Sequence, residues 1–351
     1  MERTGGNGGA MVVPRAETGR PVTIRDVAAA AGVSKSLVSL VLQGSAQVGE
    51  ARRRAVLDAV ADLGYRPTRP AQVAPALRSR TVGVVLNDLR NPWFVDLLEG
   101  LTTALDGGGS TPLLSDSLTM QRVGRSSVRA LVDCGVDGLV VVGTTSEEAA
   151  VLAVAADLPV VLAGTTEPRL PLGDVVVNDD VAGARSATEH LIELGHRRLA
   201  HLRGPGDIGA LRLQGFREAV DHGGLTAGHR VDAGGRTEES GYAGARRLLT
   251  GSPRPTAILA FNDIAAVGAM SAAADLGIAV PEELSVVGYD DTSLAQIRHL
   301  SLTSVDNGNF AVGAQAGRFL VERIADPSLP ARRFIVPTRL VVRGTTASPR
   351  T

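Results

Sequence analysis

A chain of 351 residues, 44% hydrophobic and 21% charged, has the make-up of a soluble globular protein with room for a small domain and one or two larger ones. Its most apolar stretch, AAVLAVAADLPVVLAG, is broken by Asp157 and Pro159 and cannot cross a membrane; a single cysteine, Cys134, excludes an internal disulfide and a cysteine-based zinc cluster. The net charge of −1 hides an asymmetry, because residues 1–80 carry 12 Lys+Arg against 6 Asp+Glu (net +6) while residues 81–351 carry 24 against 31 (net −7), so the basic end is the candidate phosphate-binding surface.

In chain order, residues 1–20 lack the apolar core of a secretory signal and read as a disordered leader, which points to the cytoplasm. Thr23 and Asp26 form a capping pair for a first helix whose Ile24, Val27, Ala28 and Ala31 share one face, and Gly32 ends it. Ser34 can cap a second helix at once, turning Leu37, Val38 and Val41 inward and placing Lys35, the chain's only lysine, and Ser36 in its first turn. Two short helices joined by a tight Gly-containing turn make a helix-turn-helix. A third helix from about Glu50 carries Val56, Val60 and Leu63 at helical spacing, with Gly64 at its stop. The small all-α head therefore spans residues 21–67, followed by a Pro-containing hinge over 68–80.

From Thr81 onward, apolar runs alternate with amphipathic helical stretches: TVGVVL, TPLLS, DGLVVV, LPVVLAG, then RRLAHL, TAILAF and LSVVGY. That alternation predicts an α/β body, residues 81–351, of parallel sheets flanked by helices. Ligands of such sheets sit outside the carboxyl ends of the strands, where Asn87, Asp88, Thr144, Thr145, Asn262, Asp263, Asp290 and Asp291 cluster. The plain alternative is that several of these only cap helices.

The stretch TIRDVAAAAGVSKSLVSLVLQG…VLDAVADLGYRP resembles the DNA-binding head of the LacI/GalR family of bacterial transcription regulators. VGVVLNDLRNPWF, EHLIELGHRRLAHLRGP, RLQGF, PTAILAFND, VPEELSVVGYDD, LTSV and VPTRLVVRGTT carry the resemblance to the C-terminus. It implies a helix-turn-helix head on a two-lobed, periplasmic-binding-protein-like effector domain, the first lobe about 81–177 and 306–326, the second about 178–303 and 330–345. It also implies three partners: a double-stranded, near-palindromic DNA operator, a small-molecule effector in the cleft, and a second copy of the chain as homodimer. Lys35, Ser36 and Leu40 fall at the family's base-reading positions, with Thr23, Ser34 and Ser39 in the same DNA-facing set. Leu40 stands where an arginine is common; it cannot donate to guanine but can pack on a thymine methyl, which predicts an altered half-site. Leu37 replaces a frequent phosphate-contacting threonine. Leu77 is the best match to the hinge leucine that wedges into the minor groove, although ungapped alignment puts Ala74 there. In the cleft, Trp93, Phe94, Arg212, Asn262, Asp290 and Asn307 take the effector-binding roles, while Ile208 and Ala163 stand where sugar-binding relatives often carry polar side chains.

Several motifs imitate catalytic ones. GPGDIG (204–209) matches G-x-G-x-x-G, with Asp232 at a plausible later distance, but one such match is weak. His190, Glu193 and His196 lack H-E-x-x-H spacing and read as a solvated helix end; DGGGS lacks the lysine of a phosphate loop, and no G-x-S-x-G turn occurs. Cys134 reads as a helix-end residue near the core. No cofactor, metal or catalytic group is therefore expected. The alternatives to a regulator are a solute-binding protein without a DNA role and a cytoplasmic α/β enzyme.

Overall fold

A computed structural model describes residues 22–42, 45, 48–65, 79–225 and 229–350. They fall into two compact units, a head and a body.

In the head, α1 (Ile24–Ala30), α2 (Lys35–Leu42) and α3 (Glu50–Asp62) enclose a core of Val27, Val38, Val41, Leu42, Val56 and Val60. Local chemistry sets each boundary. The Asp26 carboxylate accepts from both the Thr23 amide and the Thr23 hydroxyl, each at 2.7 Å, closing the start of α1. Gly32 takes the left-handed conformation (φ 64°) that lets the chain turn at once into α2, whose Leu37 amide donates to the Ser34 hydroxyl oxygen at 3.2 Å. Leu63 is not part of the core: it is the C-cap of α3 and is exposed.

The body holds two six-stranded sheets. β1 (Thr81–Leu86), β2 (Thr111–Asp116), β3 (Gly138–Val142), β4 (Val160–Ala163), β5 (Asp174–Asn178) and β11 (Arg333–Val336) form the first, in the order β11-β5-β4-β3-β1-β2 and all parallel. β6 (Leu199–Arg203), β7 (His229–Ala233), β8 (Ala257–Leu259), β9 (Ser285–Tyr289), β10 (Thr303–Asp306) and β12 (Arg339–Val341) form the second, in the order β12-β10-β9-β8-β6-β7, with only β12 antiparallel. The chain therefore passes between lobes three times, after Asn178, after Asp306 and after Val336. The sequence-based division assigned 330–345 wholly to the second lobe, whereas residues 333–336 pair with β5 of the first sheet and only 339–341 return to the second.

Helices cover both faces of each sheet, as buried parallel strands require. In the first lobe α4 (Trp93–Asp106) lies against α12 (Asn309–Ala325) over a core of Leu86, Leu97, Leu101, Val140 and Leu320. The two backbones approach closely at Gly100 and Gly313, where a Cβ would collide with the Phe310 and Leu97 carbonyls. In the second lobe the pairs are α8 (Asp180–Glu193) with α9 (Gly206–His222), and α10 (Glu238–Thr250) with α11 (Asp263–Asp275). Strand ends and the N-termini of α4, α9, α10 and α11 meet between the lobes, which places polar groups and helix dipoles around one cleft.

Candidate functional site

On the head, α2 buries Val38 and Val41 and thereby turns Lys35, Ser36 and Leu40 outward, all exposed, with Ser39 half-buried beside them. Thr23 and Ser34 are occupied by the caps described above. Arg25, Arg52 and Arg54 add exposed positive charge to the same small unit. Leu77, Ala74 and the hinge around them lie outside the described residues.

The cleft between the lobes encloses about 340 Å³, at the lower end of the range for small-ligand sites. Trp93 and Phe94 open α4 and meet edge-to-face with ring centroids 5.0 Å apart. Both are buried in the first-lobe core and also line the cleft, so packing and lining are not alternatives for them. The Trp93 ring lies over Gly164, where a Cβ would collide with it. Ile208 of α9 adds an apolar wall, whereas Ala163 is sealed inside β4 and its neighbour Gly164 faces the cleft.

Arg212 is the centre of the second-lobe wall. Its Nε donates to Asp180 Oδ1 at 2.8 Å, its Nη1 to the Phe261 carbonyl and its Nη2 to Asp290 Oδ1 at 3.3 Å; the guanidinium stacks 3.6 Å above the Tyr289 ring centroid. Burial works against the arginine charge, but the two carboxylates outweigh it and raise its pKa. One guanidinium cannot balance two buried carboxylates, and burial raises both, pushing Asp290 up to about 8 against the pull of Arg212. Burial thus favours the protonated form of Asp290 and Arg212 the ionised one. Its Oδ1 accepts from Arg212 and, at 3.0 Å, from Asn307 Nδ2, and the residue lines the cleft. The backbone that aims it has φ 100°, and holds because the Asp290 amide donates to Val305 and its carbonyl accepts from Asn309.

Two expected contacts sit differently. Asn307 is fully buried and reaches the cleft only through Asp290, because its own side chain is packed behind that carboxyl. Asn262 lines the cleft, yet its Oδ1 caps α11 by accepting from Ala265 and its Nδ2 donates to the Arg236 carbonyl, so both ends of the amide are already used. Asp263 is likewise structural, accepting from Thr292 and Ser304.

The structure adds residues that sequence reasoning missed. Asp207, at the start of α9, accepts from the opposite lobe, from the Thr166 amide and hydroxyl, each at 2.8 Å, and from the Thr165 hydroxyl at 3.3 Å. Arg236, between β7 and α10, projects into the cleft mouth opposite the Asp88–Arg90 pair. The only sequence signal for Arg236 was its place just before the capping box Thr237–Ser240 at a strand's carboxyl end.

The motifs set aside on sequence have other partners. Asp232 pairs with Arg247 at 2.7 Å, and Asp207 of GPGDIG bonds the opposite lobe, so neither is free to hold a dinucleotide. His196 is not solvated: it is buried among Thr256, Ser285 and the Ala347 carbonyl, which tie down the C-terminal segment. Cys134 ends α6 (Ser127–Asp133) but is exposed rather than packed. Among the described residues no His/Cys/Asp/Glu group is placed to hold a metal, and no helix is long and apolar enough to cross a membrane.

A helix-turn-helix head with an outward-facing second helix, joined in one chain to a two-lobed ligand-binding body, defines a ligand-responsive DNA-binding regulator. Family comparison agrees: residues 23–68 match the description "Bacterial regulatory proteins, lacI family", and residues 188–346 match "Periplasmic binding protein-like domain". An HTH-type transcriptional repressor PurR of Photobacterium profundum is 32% identical over 326 residues, covering 92% of this chain and 97% of the relative. The HTH-type transcriptional regulator CelR of Thermobifida fusca is 33% identical, covering 93% and 99%. Among solved structures, a CelR–cellobiose complex aligns with a TM-score of 0.68 at 32% identity over 93% of this chain and 100% of that one, and a LacI transcriptional regulator from a Rhodococcus species with 0.70 at 34% over 76% and 98%. The chain belongs to the lacI family of bacterial regulatory proteins, and its head is a DNA-binding domain.

Proposed function

We propose that this protein is a transcriptional repressor that binds a near-palindromic operator as a homodimer and is controlled by a small polar metabolite in the inter-lobe cleft. The observation that carries the reading is the outward face of α2, where Lys35, Ser36 and Leu40 stand exposed on a helix held by two caps and a tight turn. Lys35 can donate to guanine or phosphate, and Leu40 offers only apolar contact, which suits a thymine methyl. Phosphate contacts from the surrounding arginines would supply affinity and its salt dependence. In the body, the rings of Trp93, Phe94 and Phe261 face amide, hydroxyl and guanidinium groups, a mixture that suits a sugar-like or other polar ring compound. CelR, a relative of this chain, was solved with cellobiose. The regulators to which this chain is similar support a reading of binding without turnover.

Control requires only that the metabolite bind one inter-lobe angle better than another, with that angle passed to the two heads of the dimer. The test is chromosome-wide mapping of bound DNA in cells expressing the full-length chain. Discrete peaks at promoters sharing one near-palindrome are expected; even coverage following local DNA abundance would overturn the reading.

A further inference from the structure

Arg236 is the one cationic side chain on the cleft wall that the fold does not already use. Arg212 is already paired with Asp180 and Asp290 and bonded to the Phe261 carbonyl, and Arg90 is held by Asp88 at 2.7 Å. The Arg236 guanidinium has neither an ion pair nor a hydrogen bond among the described residues, although it is exposed to the cleft. Its base is rigid: the Arg236 carbonyl accepts from Asn262 Nδ2 at 3.3 Å, and the next residue, Thr237, caps α10 through Ser240 at 3.2 Å. The surrounding protein withdraws enough water to lower its pKa, an effect that the Asp88 charge only partly opposes. An unpartnered, partly desolvated guanidinium on an anchored backbone costs free energy that an incoming anion can return.

The rest of the wall supplies little competing negative charge. Asp180 and Asp290 both pair with Arg212, burial favours the neutral form of Asp290, and Asp88 is balanced by Arg90. Glu238, exposed in the first turn of α10, is the remaining carboxylate on the rim, and it makes no ion pair with Arg236. We propose that the metabolite recognised in this cleft carries an anionic group, a carboxylate or a phosphate, which Arg236 receives at the cleft mouth while the aromatic wall holds the remainder. This rests on the cleft being the effector site and narrows the class of effector from neutral sugars to acids or phosphate esters.

The chain's single tryptophan, Trp93, forms the wall of the same cleft, so its fluorescence reports occupancy directly. Full-length protein is titrated with sodium phosphate, with sodium acetate and with cellobiose, ionic strength being held constant with sodium chloride. A saturable fluorescence change is expected with phosphate or acetate, and whichever binds more tightly identifies the anion shape. Arg236→Gln should weaken that binding by about tenfold or more, Arg236→Lys should retain most of it, and Glu238→Gln should tighten it. Circular dichroism and thermal melting of each variant confirm that an exposed substitution has left the fold intact. The absence of saturation by either anion, or saturation indifferent to Arg236→Gln, overturns the proposal. If cellobiose alone saturates and Arg236→Gln leaves its binding unchanged, the anion is wrong and the effector cleft stands; if no probe moves Trp93, both fall.

Discussion

Asp207 joins the lobes by a contact that its removal should make measurable. The carboxylate lies at the start of α9 in the second lobe and accepts two hydrogen bonds at 2.8 Å from Thr166, beyond β4 of the first lobe, with a longer one at 3.3 Å from Thr165. Hydrogen bonds to a charged group contribute about 1.5–3 kcal/mol each when dry. Asp207 is only half-buried, so water replaces part of that on opening and the pair together is worth about 2 kcal/mol. Asp207→Ala should therefore move the open-to-closed ratio of the lobes about 30-fold towards open. Spin labels on the exposed native Cys134 of the first lobe and on Asp221→Cys of the second report that ratio as a distance distribution. A longer distance that is minor in the parent should grow severalfold in Asp207→Ala, and Asp207→Asn, which keeps one acceptor oxygen, should fall between. The affinity of any ligand that requires the closed lobes should fall in step with the closed fraction. Identical distributions in all three proteins would refute the latch.

Two further outcomes follow from the ionic groups. Because the folded pKa of Asp290 lies at about 8, far above its ordinary value, the folded state keeps a proton that the unfolded chain releases. Its contribution to stability is full below about pH 4 and is lost as pH rises towards 8. Asp290→Asn should flatten this part of the pH dependence, read as urea midpoints between pH 5 and 8.5, and an unchanged slope would show that Asp290 is ionised in the fold. Asp174, fully buried at the start of β5, accepts from Arg323 and Arg332 through five hydrogen bonds. Asp174→Ala strands the buried Arg323 charge and should cost about 3–5 kcal/mol of stability, seen as a lowered urea midpoint, and a loss below about 1 kcal/mol would contradict the burial argument.

The parts of this fold that were legible in the sequence are those decided locally. Thr23 with Asp26, Ser34 and Gly32 set the boundaries of α1 and α2 within a few residues of themselves, so their reading required no tertiary knowledge. Apolar runs such as TVGVVL and DGLVVV read as strands because parallel strands are buried on both faces, whereas HRVDA, the edge strand β7, is half-exposed and carries no such signal. Residues 333–336 could not be assigned to a sheet from their composition, since their partner β5 lies more than 150 positions earlier. The polar residues of the cleft divide in the same way. Asn262 was legible as a cap because its partner is three residues away; Asp180 and Asp207 acquire their partners, Arg212 and Thr166, and Arg236 its place on the cleft wall, only from the fold. Asn307 was placed on the cleft by resemblance, and packing instead puts it one side chain behind.

The central claim, that α2 reads a specific DNA sequence, is tested most directly by selecting bound duplexes from a random pool with purified full-length protein, at two salt concentrations and alongside Leu40→Arg. The expected result is one near-palindromic motif at both salts, altered in Leu40→Arg at a single base pair of each half-site, since one bidentate arginine contact is worth about 1–3 kcal/mol of discrimination. Salt-sensitive binding that enriches no motif in either protein would contradict the claim.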